Sequence, residues 1–181
     1  MRILQGSLKG RTIRVPKGIR PAANIVKKAC FDIMRGEIEG KRVLELFAGT
    51  GALGIEAISL GAREGVFVDS ERDSANAVKD NLAVLNLSLN TKVYLKDAVS
   101  AITDFHVYKE VFDIIFLDPP YHQGMLKSTL QKLEEYDILT PLGYIISFCY
   151  IKDEYLADSS KFSIIVEKKY GQTLLLIYRK R

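Results

Sequence analysis

The amino-acid sequence predicts an α/β domain on a mostly parallel seven-stranded sheet with a C-terminal antiparallel hairpin, preceded by an N-terminal β-hairpin and helix. Three observations predict it. Apolar runs of strand length alternate with helical runs four times, which argues for parallel strands covered by helices on both faces. The first of these strands ends in a glycine-rich turn that opens a helix. The last two strand-like runs are joined by residues 167–172, too few for a crossover helix.

Taken in order, residues 1–16 hold two short apolar runs, Ile3-Leu4 and residues 12–15, with Gly6, Ser7 and Gly10 between them. That pattern reads as a β-hairpin. Pro21 suits a first helical turn. Ile25, Val26, Ala29, Cys30, Ile33 and Met34 then recur at helical spacing. Strand runs follow at 42–46, 65–68, 92–95 and 112–117, each trailed by a helical run, at 52–60, 71–85, 98–106 and 125–135. Further strand runs at 144–148, 162–166 and 173–178 complete the sheet. The chain divides into a basic hairpin and helix over residues 1–36, packed on a core over 37–181, as one compact unit.

Composition narrows the function classes. The chain has 181 residues, 48% of them hydrophobic, enough for one core. No apolar run reaches the roughly 18 residues of a membrane helix, and no secretory leader opens the chain. A cytoplasmic protein with no membrane partner is expected. Two cysteines, Cys30 and Cys149, and two histidines, His106 and His122, lack metal-ligand spacing, so no metal is expected. Both thiols read as buried bystanders.

Charge is unevenly placed. Residues 1–31 carry eight basic side chains and no acid, leaving 18 of the 26 basic groups to face all 22 acids elsewhere. A basic arm on a mildly acidic body suggests a polyanion partner at one end, against the plainer reading of a solvated basic hairpin.

Two loops carry the chemistry. Residues 43–54, Val-Leu-Glu-Leu-Phe-Ala-Gly-Thr-Gly-Ala-Leu-Gly, form a strand, a glycine turn and a helix start. Glycines let backbone approach a ligand at a helix N-terminus. Gly49, Gly51 and Gly54 also fit G-x-G-x-x-G, so a nicotinamide dinucleotide site competes. Glu45, inside the strand end, would repel a pyrophosphate but suit a sulfonium cofactor with a cationic amino-acid end. Asp69 and Asp97 end the next two strands. Asp69 suits the ribose hydroxyls of a nucleoside and Asp97, or its neighbouring backbone, an adenine amine. Singly each reads better as an N-cap, but their joint position at successive strand ends beside the glycine loop favours a nucleoside pocket.

Asp118-Pro119-Pro120-Tyr121 follows the fourth strand. The prolines fix the loop and lack N–H donors, leaving carbonyl acceptors. Asp118 adds a carboxylate and Tyr121 an aromatic face. That set suits the exocyclic amine of a base: Asp118 and the Pro119 carbonyl would take its two N–H groups, and Tyr121 would stack the ring. Taken alone, the string reads as a rigid turn with a packed tyrosine.

These residues carry a family resemblance. The Glu-Leu-Phe-Ala-Gly-Thr-Gly string resembles the cofactor motif of class I methyltransferases. Asp-Pro-Pro-Tyr resembles the catalytic motif of enzymes that methylate exocyclic amines. The first eleven residues, Arg20-Pro21, residues 47–62 and Tyr170-Gly171-x-Thr173 extend the likeness to the RsmD family of bacterial 16S ribosomal RNA guanine-N2 methyltransferases.

The resemblance implies a Rossmann-like class I methyltransferase fold, S-adenosylmethionine as cofactor, and ribosomal RNA of the small subunit or its assembly intermediate as partner; separately, a monomer is expected. It implies that Glu45, Phe47, Ala48, Gly49, Gly51, Asp69, Ser70, Asp97 and Ala98 line the cofactor site. It implies that Asp118, Pro119, Pro120 and Tyr121 hold the target guanine. Arg2, Lys9, Arg11, Arg14, Lys17 and Arg20 then become the RNA contacts.

One stretch departs from the family. After Arg-Pro, members continue with Thr, Asp-Arg-Val and a Glu; here the chain reads Ala22-Ala23-Asn24-Ile25-Val26-Lys27-Lys28. That bears on how this helix closes over the cofactor. Adenine-N6 methylation of DNA or RNA, and a non-catalytic RNA-binding protein with this fold, are the competing functions.

Overall fold

A computed structural model describes residues 1–15, 24–121, 123–157 and 159–181. Its elements are α1 (Asn24–Ile33), β1 (Arg42–Leu46), α2 (Ala52–Ser59), β2 (Glu64–Asp69), α3 (Arg72–Val84), β3 (Thr91–Leu95), α4 (Ala98–Val107), β4 (Phe112–Leu117), α5 (Met125–Glu135), β5 (Leu139–Tyr150), β6 (Phe162–Tyr170) and β7 (Thr173–Lys180). The strands form one seven-stranded sheet in the order β3-β2-β1-β4-β5-β7-β6. The pairs from β3 through to β5 are parallel, whereas β7 pairs antiparallel with both β5 and β6.

Central strands are nearly continuous apolar runs because both their faces are covered. Leu44, Leu46, Ile115 and Leu117 face the side packed by Ile102 and Phe105 of α4 and Leu126, Leu130 and Leu133 of α5. Val43, Ile114 and Phe116 face Val26, Cys30 and Phe31 of α1 and Leu53 and Ala57 of α2. Both cysteines are free and buried. Among the described residues no helix is long and apolar enough to cross a membrane.

The N-terminal arm closes as an antiparallel bridge between Arg2 and Thr12, with backbone bonds Ile3 N–H to Arg11 O at 2.9 Å and Ile13 N–H to Met1 O at 2.7 Å. Ile3 and Ile13 are its buried side chains, packed with Ile55, Phe67, Val78 and Leu82. Its turn rests on the far end of α2, where Ser7 N–H donates to Ser59 O at 2.8 Å.

Two strands run longer than their sequence pattern suggests. β5 begins at Leu139, because Pro141-Leu142-Gly143 is absorbed by a register shift opposite β4 between Phe112 and Ile114. Leu142 there has φ 61°. β6 continues past Val166 through Glu167-Lys168-Lys169 to Tyr170. As the sheet edge it carries solvated charges, which mask a strand in a hydrophobicity pattern. The helical start expected at Pro21 lies outside the described residues.

Candidate active site

The carboxyl ends of β1, β2, β3 and β4 lie side by side, so the loops that follow them share one edge of the sheet. Leu46 of β1 is in register with both Val68 of β2 and Leu117 of β4. Phe47 therefore stands between Asp69 and Asp118. Two motifs some seventy residues apart in sequence become neighbours at one strand spacing, about 4.8 Å.

The 47–51 loop turns sharply. Phe47, Gly49 and Gly51 have φ 61°, 54° and 76°, all in the left-handed region. For a phenylalanine this is uncommon, and such backbone clusters at ligand sites. Ala48 N–H donates to Val68 O at 3.0 Å, and Gly51 N–H returns to Ala48 O at 2.7 Å. Gly49 N–H donates to the Asp69 carboxylate at 2.7 Å. Gly54 serves packing: a Cβ there would stand 2.5 Å from the Phe67 ring and 2.9 Å from a Glu45 carboxylate oxygen.

Glu45 does not open onto this loop. It is 2% exposed, and its carboxylate caps α2 by accepting Gly54 N–H at 2.8 Å and Leu53 N–H at 3.2 Å. Two of the unpaired N–H groups in the first turn of α2 are satisfied this way. Burial pushes its carboxyl up to about 8; the two N–H bonds oppose this, the charge of Asp118 adds to it and that of Lys27 opposes it.

Asp69 spends both oxygens on backbone, Oδ2 on Gly49 N–H and Oδ1 on Glu71 N–H at 2.9 Å. Ser70 beside it is exposed. Asp97 is the N-cap of α4, accepting Ser100 N–H at 2.9 Å. Hydrogen bonds from Ser100 hold its carboxyl below the usual carboxylate range. The cap reading of Asp97 thus accounts for one of its oxygens. Ala98 is the buried first residue of α4.

At the end of β4, Asp118 is half-buried, Pro119 buried and Pro120 exposed. The Tyr121 hydroxyl lies 3.1 Å from Thr173 Oγ1, and its ring centroid lies 6.0 Å from that of Tyr150. The structure thereby joins the Asp-Pro-Pro-Tyr loop to the Tyr-Gly-x-Thr string of β6 and β7.

Asn81 escapes the sequence reading. It is 3% exposed on α3, and its Nδ2 donates to Thr50 O at 3.0 Å and Arg14 O at 3.1 Å. Its Oδ1 accepts Arg14 N–H at 2.8 Å. It stitches the N-terminal arm to the glycine loop. The available signal was an amide among Ala77, Val78 and Leu82, the apolar stripe of α3.

The basic residues scatter more than their clustering in sequence implies. Arg14 lies beside the glycine loop through Asn81 and pairs loosely with Asp80 at 3.8 Å. The Arg11 guanidinium donates to Val84 O at 3.0 Å. Arg2 and Lys9 are exposed, Lys9 in the turn beside the far end of α2. Lys27 is wholly buried against Glu56 and Lys28 pairs with Asp32, so neither extends the basic arm. Lys17 and Arg20 lie outside the described residues.

Three acids, Asp69, Asp97 and Asp118, crown the strand ends beside the glycine loop, and Lys96, next to Asp97, pairs with Asp104. That electrostatic set fits a cationic nucleoside ligand such as S-adenosylmethionine and disfavours a pyrophosphate.

Fold and site together define a class I methyltransferase architecture. The family model described as "Conserved hypothetical protein 95" matches residues 1–179, and the chain belongs to that family, as the resemblance to RsmD proteins predicts. It is 36% identical to "Putative rRNA methyltransferase YlbH" of Bacillus subtilis over 100% of both chains. It is 34% identical to "Ribosomal RNA small subunit methyltransferase D" of Buchnera aphidicola, over 93% of this chain and 83% of that one. Among solved structures, "Putative methyltransferase yhhF" from Escherichia coli superposes with a TM-score of 0.88 at 28% identity, over 100% of this chain and 98% of that one.

Proposed function

We propose that this protein transfers a methyl group from S-adenosylmethionine to the exocyclic N2 of a guanine in 16S ribosomal RNA of the small subunit. The observation that carries the reading is the register of Leu46 with Leu117, which sets the glycine loop of β1 beside the Asp-Pro-Pro-Tyr loop of β4. The names of the relatives, two of them ribosomal RNA methyltransferases, support the substrate class.

S-adenosylmethionine, when bound, supplies an electrophilic methyl group on a sulfonium. The chain's own residues do the rest. The 47–51 loop and Asp69 present backbone and a carboxylate to the cofactor. Asp118 and the Pro119 carbonyl accept the two N–H groups of the amine. That draws the nitrogen out of conjugation and aims its lone pair. Asp118 takes the departing proton as the N–C bond forms and the bond from that methyl carbon to sulfur breaks, the sulfonium leaving as a neutral thioether. Tyr121 stacks the extruded base, and Arg2, Arg11 and Arg14 meet phosphates.

The test is tritium transfer from S-adenosylmethionine to small subunits isolated from cells lacking the protein, followed by nucleoside analysis. Label in N2-methylguanosine is expected. Label in N6-methyladenosine would move the target to adenine, and no label on subunits or free RNA would defeat the reading.

A further inference from the structure

Beyond Tyr121, the site edge carries aromatic residues that the catalytic reading does not use. Tyr150 of β5 is in register with Thr173 of β7, and Thr173 with Tyr170 of β6. Directly paired residues project to one face of a sheet, so these three form a row across adjacent strands. One step down the same face, Phe148, Leu175 and Lys168 form a second row by the same pairings. Phe148 and Leu175 are buried in the cluster shared with α1, and Tyr170 packs against its margin. The upper row is half-buried and Lys168 is exposed.

Tyr121 completes the set. Its hydroxyl meets the central Thr173 at 3.1 Å and its ring leans on Tyr150 at 6.0 Å. Three tyrosines thus run outward from the catalytic loop, anchored below by a packed core and flanked by a cation. Tyr150 and Tyr170 stand two strand spacings apart, roughly 10 Å.

We propose that Tyr150, Tyr170 and Lys168 form a platform for single-stranded RNA, stacking the nucleotides that flank the extruded base and meeting their backbone. The proposal rests on the base-methylating function above and names where the neighbouring strand runs. An amine buried in a helix is out of reach, so the target must lie in a loop or an opened strand. Unstacked neighbours expose π-faces that aromatic side chains accept without regard to sequence, with a lysine for the phosphates. A row of half-exposed tyrosines continuous with Tyr121 is that chemistry.

The experiment compares Tyr170→Ala, Tyr170→Phe and Lys168→Ala with wild type. One readout is KM for unmethylated small subunits. The other is fluorescence quenching of a short single-stranded RNA carrying 2-aminopurine. Cofactor affinity, measured alongside, reports that each variant is folded.

Tyr170→Ala should raise KM and weaken oligonucleotide binding at least about five-fold, with cofactor affinity kept. Tyr170→Phe should stay near wild type, because the ring face and not the hydroxyl does the stacking. Lys168→Ala should flatten the salt dependence of binding by about one phosphate contact.

Unchanged KM and quenching in Tyr170→Ala, with wild type active, overturns the platform alone. Equal damage by Phe and Ala also overturns it. A defect on subunits without one on the oligonucleotide would assign the surface to a ribosomal protein instead. Wild-type protein that neither binds the RNA nor methylates any RNA overturns both the platform and the function beneath it.

Discussion

The ammonium of Lys27 and the carboxylate of Glu56 meet at 2.9 Å with neither side chain exposed to solvent. Glu56 also accepts the N–H groups of Leu4 at 2.8 Å and Gln5 at 2.6 Å, and Lys27 reaches Arg2 O at 3.5 Å. One enclosed ion pair therefore holds α1, α2 and the N-terminal arm together. Lys27→Met should cost about 3–5 kcal/mol, because it strands the buried charge of Glu56. Adding Glu56→Gln should recover part of the loss, since glutamine still accepts from the arm. Urea denaturation of the three proteins checks this; a double variant no more stable than Lys27→Met would show that charge balance is not the role.

Glu45 sets a pH dependence. Its carboxyl titrates near 8 in the native protein, against an ordinary value of 4.5. The folded chain thus holds a proton that the unfolded chain releases. The stability this gives is complete below about pH 4.5 and is lost as pH rises through about 8, on the order of a few kcal/mol in all. Stability measured across that window should fall with pH in wild type and less steeply in Glu45→Gln. Parallel curves would assign the slope elsewhere.

Asn81→Ala should cost about 1–3 kcal/mol by unpairing Thr50 O and the Arg14 backbone. It should also weaken cofactor binding, since the loop it holds carries Gly49 and Gly51. Calorimetry with S-adenosylhomocysteine decides: stability lost with affinity intact would confine Asn81 to the fold.

Asp118→Ala should abolish methyl transfer while leaving cofactor affinity within a few fold, because Asp118 acts on the amine. Equal loss of both would mark it as structural.

Replacing Arg11 and Arg14 together with Ala should weaken RNA binding and make it less steeply salt-dependent, by close to two phosphate contacts. Binding titrations at several salt concentrations read this directly. An unaltered slope would remove the arm from the RNA interface.

Much of this was legible in the chain. Phe112–Leu117 and Met125–Glu135 form where periodicity puts them, because a both-sides-buried strand and a one-sided helix leave distinct patterns. Both motif loops also fall at the expected strand ends. What stayed hidden depends on partners far away in sequence. Glu45 reads as a ligand-facing acid until Gly54 is seen to fold back over it. Lys27 counts toward a basic arm until Glu56 encloses it. Asn81 looks like any helical amide until Arg14 and Thr50 arrive beside it.

The position of β7 bears on how the chain is made. It is the last strand in order yet lies between β5 and β6. During synthesis β5, with Ile145, Ile146 and Phe148, is made before its partner, and its outer hydrogen-bonding edge has no neighbour until residues 173–180 follow. β6, made in between, has nothing in the sheet to dock against. The nascent protein therefore carries an open, apolar strand edge from Tyr150 until β7 is made, a state prone to self-association. Any shortening before Thr173 would make that transient exposure permanent.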